Sequence, residues 1–284
     1  MIEKYSSLFA GHIDLGEVGQ DTTPANERRY SDVELAGVFA KCEAMAKVMD
    51  DCGYGTLWFA EHHFQREGYE CIPNNLMMGV HLAHMTKTLK IGCGFNITPM
   101  WHPLRLAEEI AIIDQMLGGR LEVGLVPGIN AAYFEPFGLD YNYRKSPTLE
   151  YLDYLRAAYG EEQPFTFIGD NHKTTSATLS VQPVQKPYPP MWMQSRDPET
   201  LEFCAANGMH TGYFLVFPRD EAAPRYRKYL ADWDKAGWDY RPNIAYSTVI
   251  YVDESDDKAL DTALFGASRA YEGFLPPPGD GKSF

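Results

Sequence analysis

Apolar and polar positions along this chain switch repeatedly between a strand-like period and a helical one. Tyr5–Ala10 is a brief apolar run that reads as a strand, and a polar loop over Gly11–Tyr30 follows it. Ser31-Asp-Val-Glu34 has the spacing of a capping box, in which Ser31 accepts from the amide three residues on and Glu34 reaches back. The helix it opens is expected to bury Leu35, Phe39, Cys42, Met45 and Met49 on one face and to stop at Gly53. Strands are expected next at Thr56–Ala60, Leu89–Ile97 and Arg120–Val126. Helices are expected over Asn75–Met85, Pro103–Leu117 and Pro147–Tyr159, the second opened by a proline and ended by Gly118-Gly119.

The rhythm then breaks. Phe165–Ile168 and Thr175–Val181, joined across Gly169-Asp170-Asn171, read as a hairpin inserted before the next strand. Met191–Gln194 resumes the pattern, followed by a helix over Pro198–Ala206, a strand over Met209–Phe217 and a helix over Asp220–Lys235. A strand over Ala245–Val252 and a helix over Asp256–Ala270 complete it. Repeated strand–helix units with apolar strands mean a parallel sheet covered by helices. The pattern predicts an α/β fold, a TIM (β/α)8-type barrel forming one domain over residues 1–284. Residues 160–186 are its hairpin insertion before strand 5, and 274–284 a Pro/Gly-rich tail. Seven units can be counted and the eighth is missing. Either the chain is truncated, which the length favours, or the barrel is left open and something else seals it.

Composition narrows the class. Hydrophobic residues make up 45% of the 284, enough for a large packed core and too many for a disordered chain. With 25 Lys+Arg against 39 Asp+Glu the formal net charge is −14. That balance argues against nucleic acid or an anionic membrane surface as partner, since phosphate binding needs surplus Lys and Arg. No apolar run approaches the roughly 18 to 20 residues of a membrane span. The first sixteen residues are too polar for a signal peptide. Five scattered Cys without C-x-x-C spacing read as reduced thiols, so a cytoplasmic protein is expected.

In a parallel barrel the C-terminal ends of the strands carry the chemistry. Glu61-His62-His63-Phe64 follows the second strand, and neutral imidazole suits proton transfer near neutral pH. The same pair reads equally as surface or capping histidines. His81 and His84 lie at i, i+3, but no carboxylate–histidine spacing of the usual zinc kinds accompanies them, and no metal is expected. Ile91-Gly-Cys-Gly-Phe-Asn-Ile-Thr-Pro99 sets two glycines inside a strand, which suits either a bulge or the close approach of something flat. In Trp192-Met-Gln-Ser-Arg-Asp-Pro-Glu-Thr200 a strand ends, Asp197 is a natural N-cap and Pro198 a natural first helical residue. That turn reads as an anion site or as an ordinary capped helix, and as an anion site it requires Arg196 to neutralise Asp197.

In order and spacing these segments resemble the bacterial luciferase-like flavin monooxygenases. The resemblance runs from Phe59 to Gly138 through Ala-Glu-His-His-Phe, Leu-Lys-Ile-Gly, His-Pro-Leu-Arg-Leu-Ala-Glu, Asp-Gln-Met-Leu-Gly-Gly-Arg-Leu-Glu-Val-Gly and Phe-Glu-Pro-Phe-Gly. Pro187-Tyr-Pro-Pro-Met-Trp-Met, Pro198-Glu-Thr and Ala-Ala-Asn-Gly208 extend it, so that it covers residues 5–217. The hairpin insertion is also a habit of that family.

The resemblance implies a TIM-like barrel that binds reduced FMN, or in one branch F420, at its C-terminal mouth. In the flavin branch O2 adds to the reduced flavin, and the peroxyflavin oxidises a small apolar substrate such as an aldehyde, ketone or hydrocarbon. His62 matches the catalytic histidine and His63 its supporting neighbour. Gly94-Phe95 matches a non-proline cis peptide beneath the flavin, with Asn96 placed to hydrogen-bond the ring. Ser195, Arg196 and Thr200 match the phosphate-binding turn, and Gly128 and Gln194 belong to the same cofactor site. Phe64, Tyr69, Trp101 and Tyr133, in loops at the mouth, are expected to line the substrate pocket, and the Gly11–Tyr30 and Gln65–Asn75 loops to act as lids. One departure is plain. Luciferases carry an Arg after the fourth strand where this chain reads Leu125-Val-Pro127-Gly128, which lessens the expectation of light emission. No G-x-G-x-x-G nicotinamide fingerprint occurs, so a separate flavin reductase is the expected partner. A homodimer or homotetramer is expected, with contact through the helices around Leu76–Met85 and Leu106–Met116. The alternatives are an F420-dependent oxidoreductase of the same fold and a non-catalytic flavin-binding subunit.

Overall fold

Each parallel strand is a short apolar run, and the polar turn that ends it carries the residue that starts the next helix. The computed structural model describes residues 4–14, 28–195, 197–213 and 219–274. Strands β1 (Ser7–Phe9), β2 (Thr56–Phe59), β3 (Lys90–Ile97), β4 (Leu121–Val126) and β7 (Met191–Trp192) form one parallel sheet in that order. Strands β8 (Thr211–Tyr213) and β9 (Ile244–Tyr246) form a parallel pair, and a parallel bridge between Trp192 and His210 sets it beside β7. The result is seven parallel strands in series, the number of units read from the sequence. Among the described residues β9 pairs with β8 alone and β1 with β2 alone.

The helices are α1 (Asp32–Asp51), α2 (Asn75–Ala83), α3 (Pro103–Met116), α4 (Lys145–Tyr159), α5 (Pro198–Ala206), α6 (Arg219–Ala236) and α7 (Asp256–Phe274). The Ser31–Glu34 capping box forms: the Glu34 amide reaches Ser31 Oγ at 3.3 Å, and the Ser31 amide reaches Glu34 Oε2 at 2.8 Å. The buried face of α1 keeps Cys42 and Met49, with Leu35 and Met45 partly buried against the core, but it departs from the expected one at Phe39. Val38, Cys42, Ala46 and Met49 are buried, while Phe39 is 46% exposed. Small residues at 42 and 46 let the helix approach the core closely, and that approach leaves Phe39 on the solvent flank.

Between β4 and β7 the chain leaves the barrel for an antiparallel hairpin, β5 (Phe165–Ile168) and β6 (Lys173–Ala177). It packs on α4, where the Tyr154 ring meets Phe165 and Phe167 edge-on. Glu150 of α4 gathers the turn by accepting from the amides of Asp170, Asn171 and His172. The second hairpin strand starts earlier than the sequence suggests, directly after this turn. The strand expected over Met209–Phe217 starts at Thr211, and the one expected over Ala245–Val252 is shorter than expected. Residues 214–218 lie outside the described residues, and β9 ends at Tyr246, leaving Val249 to Val252 exposed with no ladder partner among the described residues.

One face of the sheet carries Leu57, Phe59, Ile91, Cys93, Leu121, Val123 and Leu125 into a single core beneath the helices. Arg120 pins this layer by donating to the carbonyls of Ala83, Leu89 and Leu117. Asp50 accepts from the amides of Lys87, Thr88 and Leu89 and so ties the end of α1 to the start of β3. No described helix is long and apolar enough to cross a membrane.

Candidate active site

The end of β2 is organised by a buried acid. Glu61 is 3% exposed, and its carboxylate accepts the Ile97 amide at 2.7 Å and the Trp101 indole N–H at 3.1 and 3.2 Å. His63 Nε2 lies 3.1 Å from Oε1 of the same carboxylate and adds a third donor. A carboxylate so far from water persists because these donors replace its hydration. The His63 ring is walled by Phe64, Tyr133 and Phe137 at centroid distances of 5.7, 5.7 and 5.1 Å. Phe64, the next residue, has φ +63°. A left-handed backbone is costly for a phenylalanine, about 1 kcal/mol or more, and such outliers gather at functional sites.

His62 points to a second acid. Its Nδ1 is 2.8 Å from Glu70 Oε2 and 3.1 Å from the Tyr133 hydroxyl. Gln65 Nε2 donates to Glu70 at 2.9 Å and also to the Tyr133 oxygen. Burial above all pushes the Tyr133 phenol up to about 12, so it stays protonated. Tyr133, expected as pocket lining, is buried within the His62 cluster, and Trp101 commits its indole N–H to Glu61. Tyr69 is half-buried on the same loop as Glu70. Phe64 and Phe137 are the exposed aromatics at this mouth, 5.8 Å apart.

The glycines of β3 and β4 have a local purpose. A side chain at Gly92 would run into the Trp58 ring, and one at Gly124 into the Cys93 carbonyl and the Phe95 ring. Their absence lets Trp58 and Phe95 lie over the sheet, roughly stacked at 6.4 Å, with Trp192 edge-on to Trp58 at 5.1 Å. The Gly94–Phe95 peptide is cis, and the register between β3 and β4 shifts between Cys93 and Asn96. Asn96 is fully buried; its Nδ2 donates to the Gly124 carbonyl at 3.1 Å, and its Oδ1 has no partner among the described residues. Beneath Trp192, its indole N–H and Lys90 both reach the buried Glu122.

The turn into α5 stands farther along the sheet, after β7. Ser195 Oγ accepts the Asp197 amide at 3.0 Å, and Thr200 Oγ1 donates to Asp197 Oδ2 at 2.8 Å. Burial raises the Asp197 carboxyl, but the Thr200 hydroxyl and the Glu199 and Thr200 amides outweigh it and hold the group below its ordinary value. The acid at this helix start is therefore charged at neutral pH, and an anion bound there requires a cation to offset it. Arg196 lies outside the described residues. Gln194 is half-buried at the end of β7. Gly128 stands against Ile97 and Phe134, and its carbonyl accepts from Arg144 Nε at 3.0 Å.

The histidines were legible, but neither of their carboxylate partners was assigned a role from sequence. Glu61 is two positions from His63 and inside the quoted motif, so its spacing was a usable signal. Glu70 is reached only because a loop doubles back, and nothing local announces it.

Comparison with known proteins identifies the family and the fold. The luciferase-like monooxygenase family profile matches residues 11–281, and the chain belongs to that family. It is 28% identical over 219 residues to the oxygenase component of a flavin-dependent trigonelline monooxygenase from Acinetobacter baylyi, covering 76% of this chain and 59% of that one. The chain spans about half the length of the curated relatives it matches. In structure it resembles the oxygenating constituent of 3,6-diketocamphane monooxygenase from Pseudomonas putida, solved with FMN, at TM-score 0.76 and 18% identity over 97% of this chain and 75% of that one. It also resembles an F420-dependent tetrahydromethanopterin reductase from Methanopyrus kandleri, at TM-score 0.65 and 19% identity over 91% of this chain and 69% of that one. The seven strands are thus the greater part of a luciferase-like TIM-type barrel, the fold expected from sequence.

Proposed function

We propose that the protein is the oxygenase of a two-component flavin-dependent monooxygenase, working on reduced FMN, O2 and a small apolar organic substrate. One observation carries the reading: adjacent histidines directly after β2 each face their own carboxylate, in a chain of the luciferase-like monooxygenase family. The residues fit a flavin. Trp58 and Phe95 offer a flat apolar surface, and Asn96 Oδ1 is a buried acceptor still lacking a donor, suited to an N–H on a ring edge.

Bound reduced FMN supplies the electrons that activate O2. In this reading His62 holds or moves a proton at Nε2, with Nδ1 engaged by Glu70. His63 is fixed by Glu61 and shapes the wall. Phe64 and Phe137 exclude water and receive the apolar substrate, with Tyr69, Trp101 and Tyr133 behind them. Gln194, Ser195, Thr200, Gly128 and Arg196 hold the phosphate end; the Ser195 and Thr200 hydroxyls turn from Asp197 to do so. A separate flavin reductase is the partner that delivers FMNH2, and assembly is as a homodimer or homotetramer.

The test mixes the protein anaerobically with reduced FMN, admits oxygen, and follows flavin absorbance. A transient species outlasting that of free flavin supports the reading, and a trace identical to free FMN refutes it. The likeness to an F420-dependent reductase favours F420-dependent hydride transfer as the second reading. Tighter binding of F420 than of FMN would put it first.

A further inference from the structure

We propose that Glu70 is the positioning residue for His62: it holds the imidazole in the tautomer with the proton on Nδ1 and so leaves the Nε2 lone pair free at the mouth. The assignment deepens the function proposed above and rests on His62 being its proton-transfer group.

The argument starts from the two oxygens around Nδ1. Glu70 Oε2 is 2.8 Å away and Tyr133 Oη 3.1 Å away. A carboxylate can only accept. An unprotonated Nδ1 would therefore set its lone pair against those of Glu70, whereas Nδ1–H makes a charge-assisted hydrogen bond. The Tyr133 phenol is neutral, so Glu70 is the group that decides the tautomer. With the proton on Nδ1, Nε2 is an acceptor, and it has no protein partner among the described residues. When Nε2 takes a proton, the imidazolium stands against a carboxylate that is already anionic; when it releases the proton, the starting pair returns. No other group changes charge.

A histidine–carboxylate contact on a protein surface is often without consequence. The chain contains its own comparison: His81 Nε2 lies 2.8 Å from Glu43 Oε1, between α2 and α1. Its histidine is 48% exposed against 19% for His62, and among the described residues the pair involves two side chains only. The Glu70 carboxylate is held in place from several sides. Gln65 Nε2 donates to it at 2.9 Å. The loop that carries it is closed at its base, where the His62 amide donates to the Ile72 carbonyl at 3.1 Å. The Cys71 amide donates to the Gly11 carbonyl and the Ile13 amide to the Gly68 carbonyl, both at 2.9 Å. Gly68 has φ +84°, and a Cβ there would stand 2.8 Å from Ile13 carbons, so the turn needs its glycine. The Gln65–Asn75 loop, expected as a lid, is thus strapped to residues 11–13. That anchorage fixes Glu70 relative to His62, as orientation of a catalytic base requires.

The test reads the tautomer directly. Protein labelled with 15N-histidine is examined above the imidazole titration by long-range proton–nitrogen correlation, with His62 assigned by its loss in His62→Gln. The wild type is expected to show the Nδ1–H form. Glu70→Ala is expected to move His62 toward the Nε2–H form that free imidazole favours in water, and Glu70→Gln, which keeps an acceptor, to shift it less. An Nε2–H wild type, or a tautomer unmoved in a folded Glu70→Ala, overturns the assignment.

The second readout is the reaction of reduced FMN with oxygen. Glu70→Ala is expected to change its rates about 10- to 100-fold in the direction of His62→Ala, while Glu43→Ala leaves them unchanged. A shifted tautomer with rates like wild type refutes the positioning role. If instead the wild type itself leaves the reaction of free FMN unaltered, the monooxygenase reading falls while the tautomer result still decides what Glu70 does to His62.

Discussion

Removing the Glu61 carboxylate orphans three buried donors at once: the Ile97 amide, the Trp101 indole N–H and His63 Nε2. Each unsatisfied buried donor costs about 1–3 kcal/mol, but water entering the space left by the side chain satisfies part of the set. The expected loss for Glu61→Ala is therefore about 3–5 kcal/mol, the size found when one partner of a buried charged pair is removed. At about 2–4 °C per kcal/mol for a chain of this size, the thermal midpoint should fall by about 10 °C. Glu61→Gln is the discriminating control. Its carbonyl can keep Ile97 and Trp101, and its NH2 then faces His63, which accepts at Nε2 by moving its proton to Nδ1. The cost should be about 1 kcal/mol, one altered hydrogen bond. Urea unfolding of the three proteins measures both values. An alanine variant within about 1 kcal/mol of wild type, or a glutamine variant as damaged as the alanine one, would refute the account of Glu61 as a shared acceptor.

The remaining predictions address other parts of the molecule. Gly124→Ala should cost more than Gly92→Ala, because its Cβ meets the Cys93 backbone carbonyl while that at Gly92 meets the Trp58 side chain; overpacking costs about 1–3 kcal/mol, and urea midpoints rank the two. With a thiol-specific reagent at pH 8, exposed Cys52 should react first, while Cys42, Cys93 and Cys204, pushed up to about 12 by burial, should react only on unfolding. Burial raises Asp50, but the amides of Lys87, Thr88 and Leu89 and the Thr88 hydroxyl outweigh it and hold the carboxyl well below the ordinary range. Its folded value is below its unfolded value of about 3.9, so it stabilises above that pH and loses its contribution as pH falls further. Stability of Asp50→Asn should accordingly decline less steeply than wild type below about pH 4, which acid unfolding curves will show.

Much of this molecule was fixed by neighbours in the chain. The capping box at Ser31, the proline start of α3, the apolar strands and the turn at Gly169–Asn171 all depend on residues within a few positions of one another. They were therefore readable, as were the seven units, the hairpin outside the sheet and the Glu61-His62-His63 motif at a strand end. Spatial decisions were not readable. Whether α1 buries Phe39 or Val38 depends on how closely the helix can approach the core, which small residues at 42 and 46 settle. The glycines of β3 answer to Trp58, from another strand, which occupies the space their side chains would need. The site's polar partners are farther still: His62 and Tyr133 are 71 positions apart, Glu61 and Ile97 36, and Glu61 and Trp101 40. Sequence periodicity carries information over one or two turns of helix or a few residues of strand. Contacts at these separations exist only after the sheet has formed and loops have closed on it. The sequence by itself thus determined the barrel and its histidines, and the tertiary structure decided which acids face them.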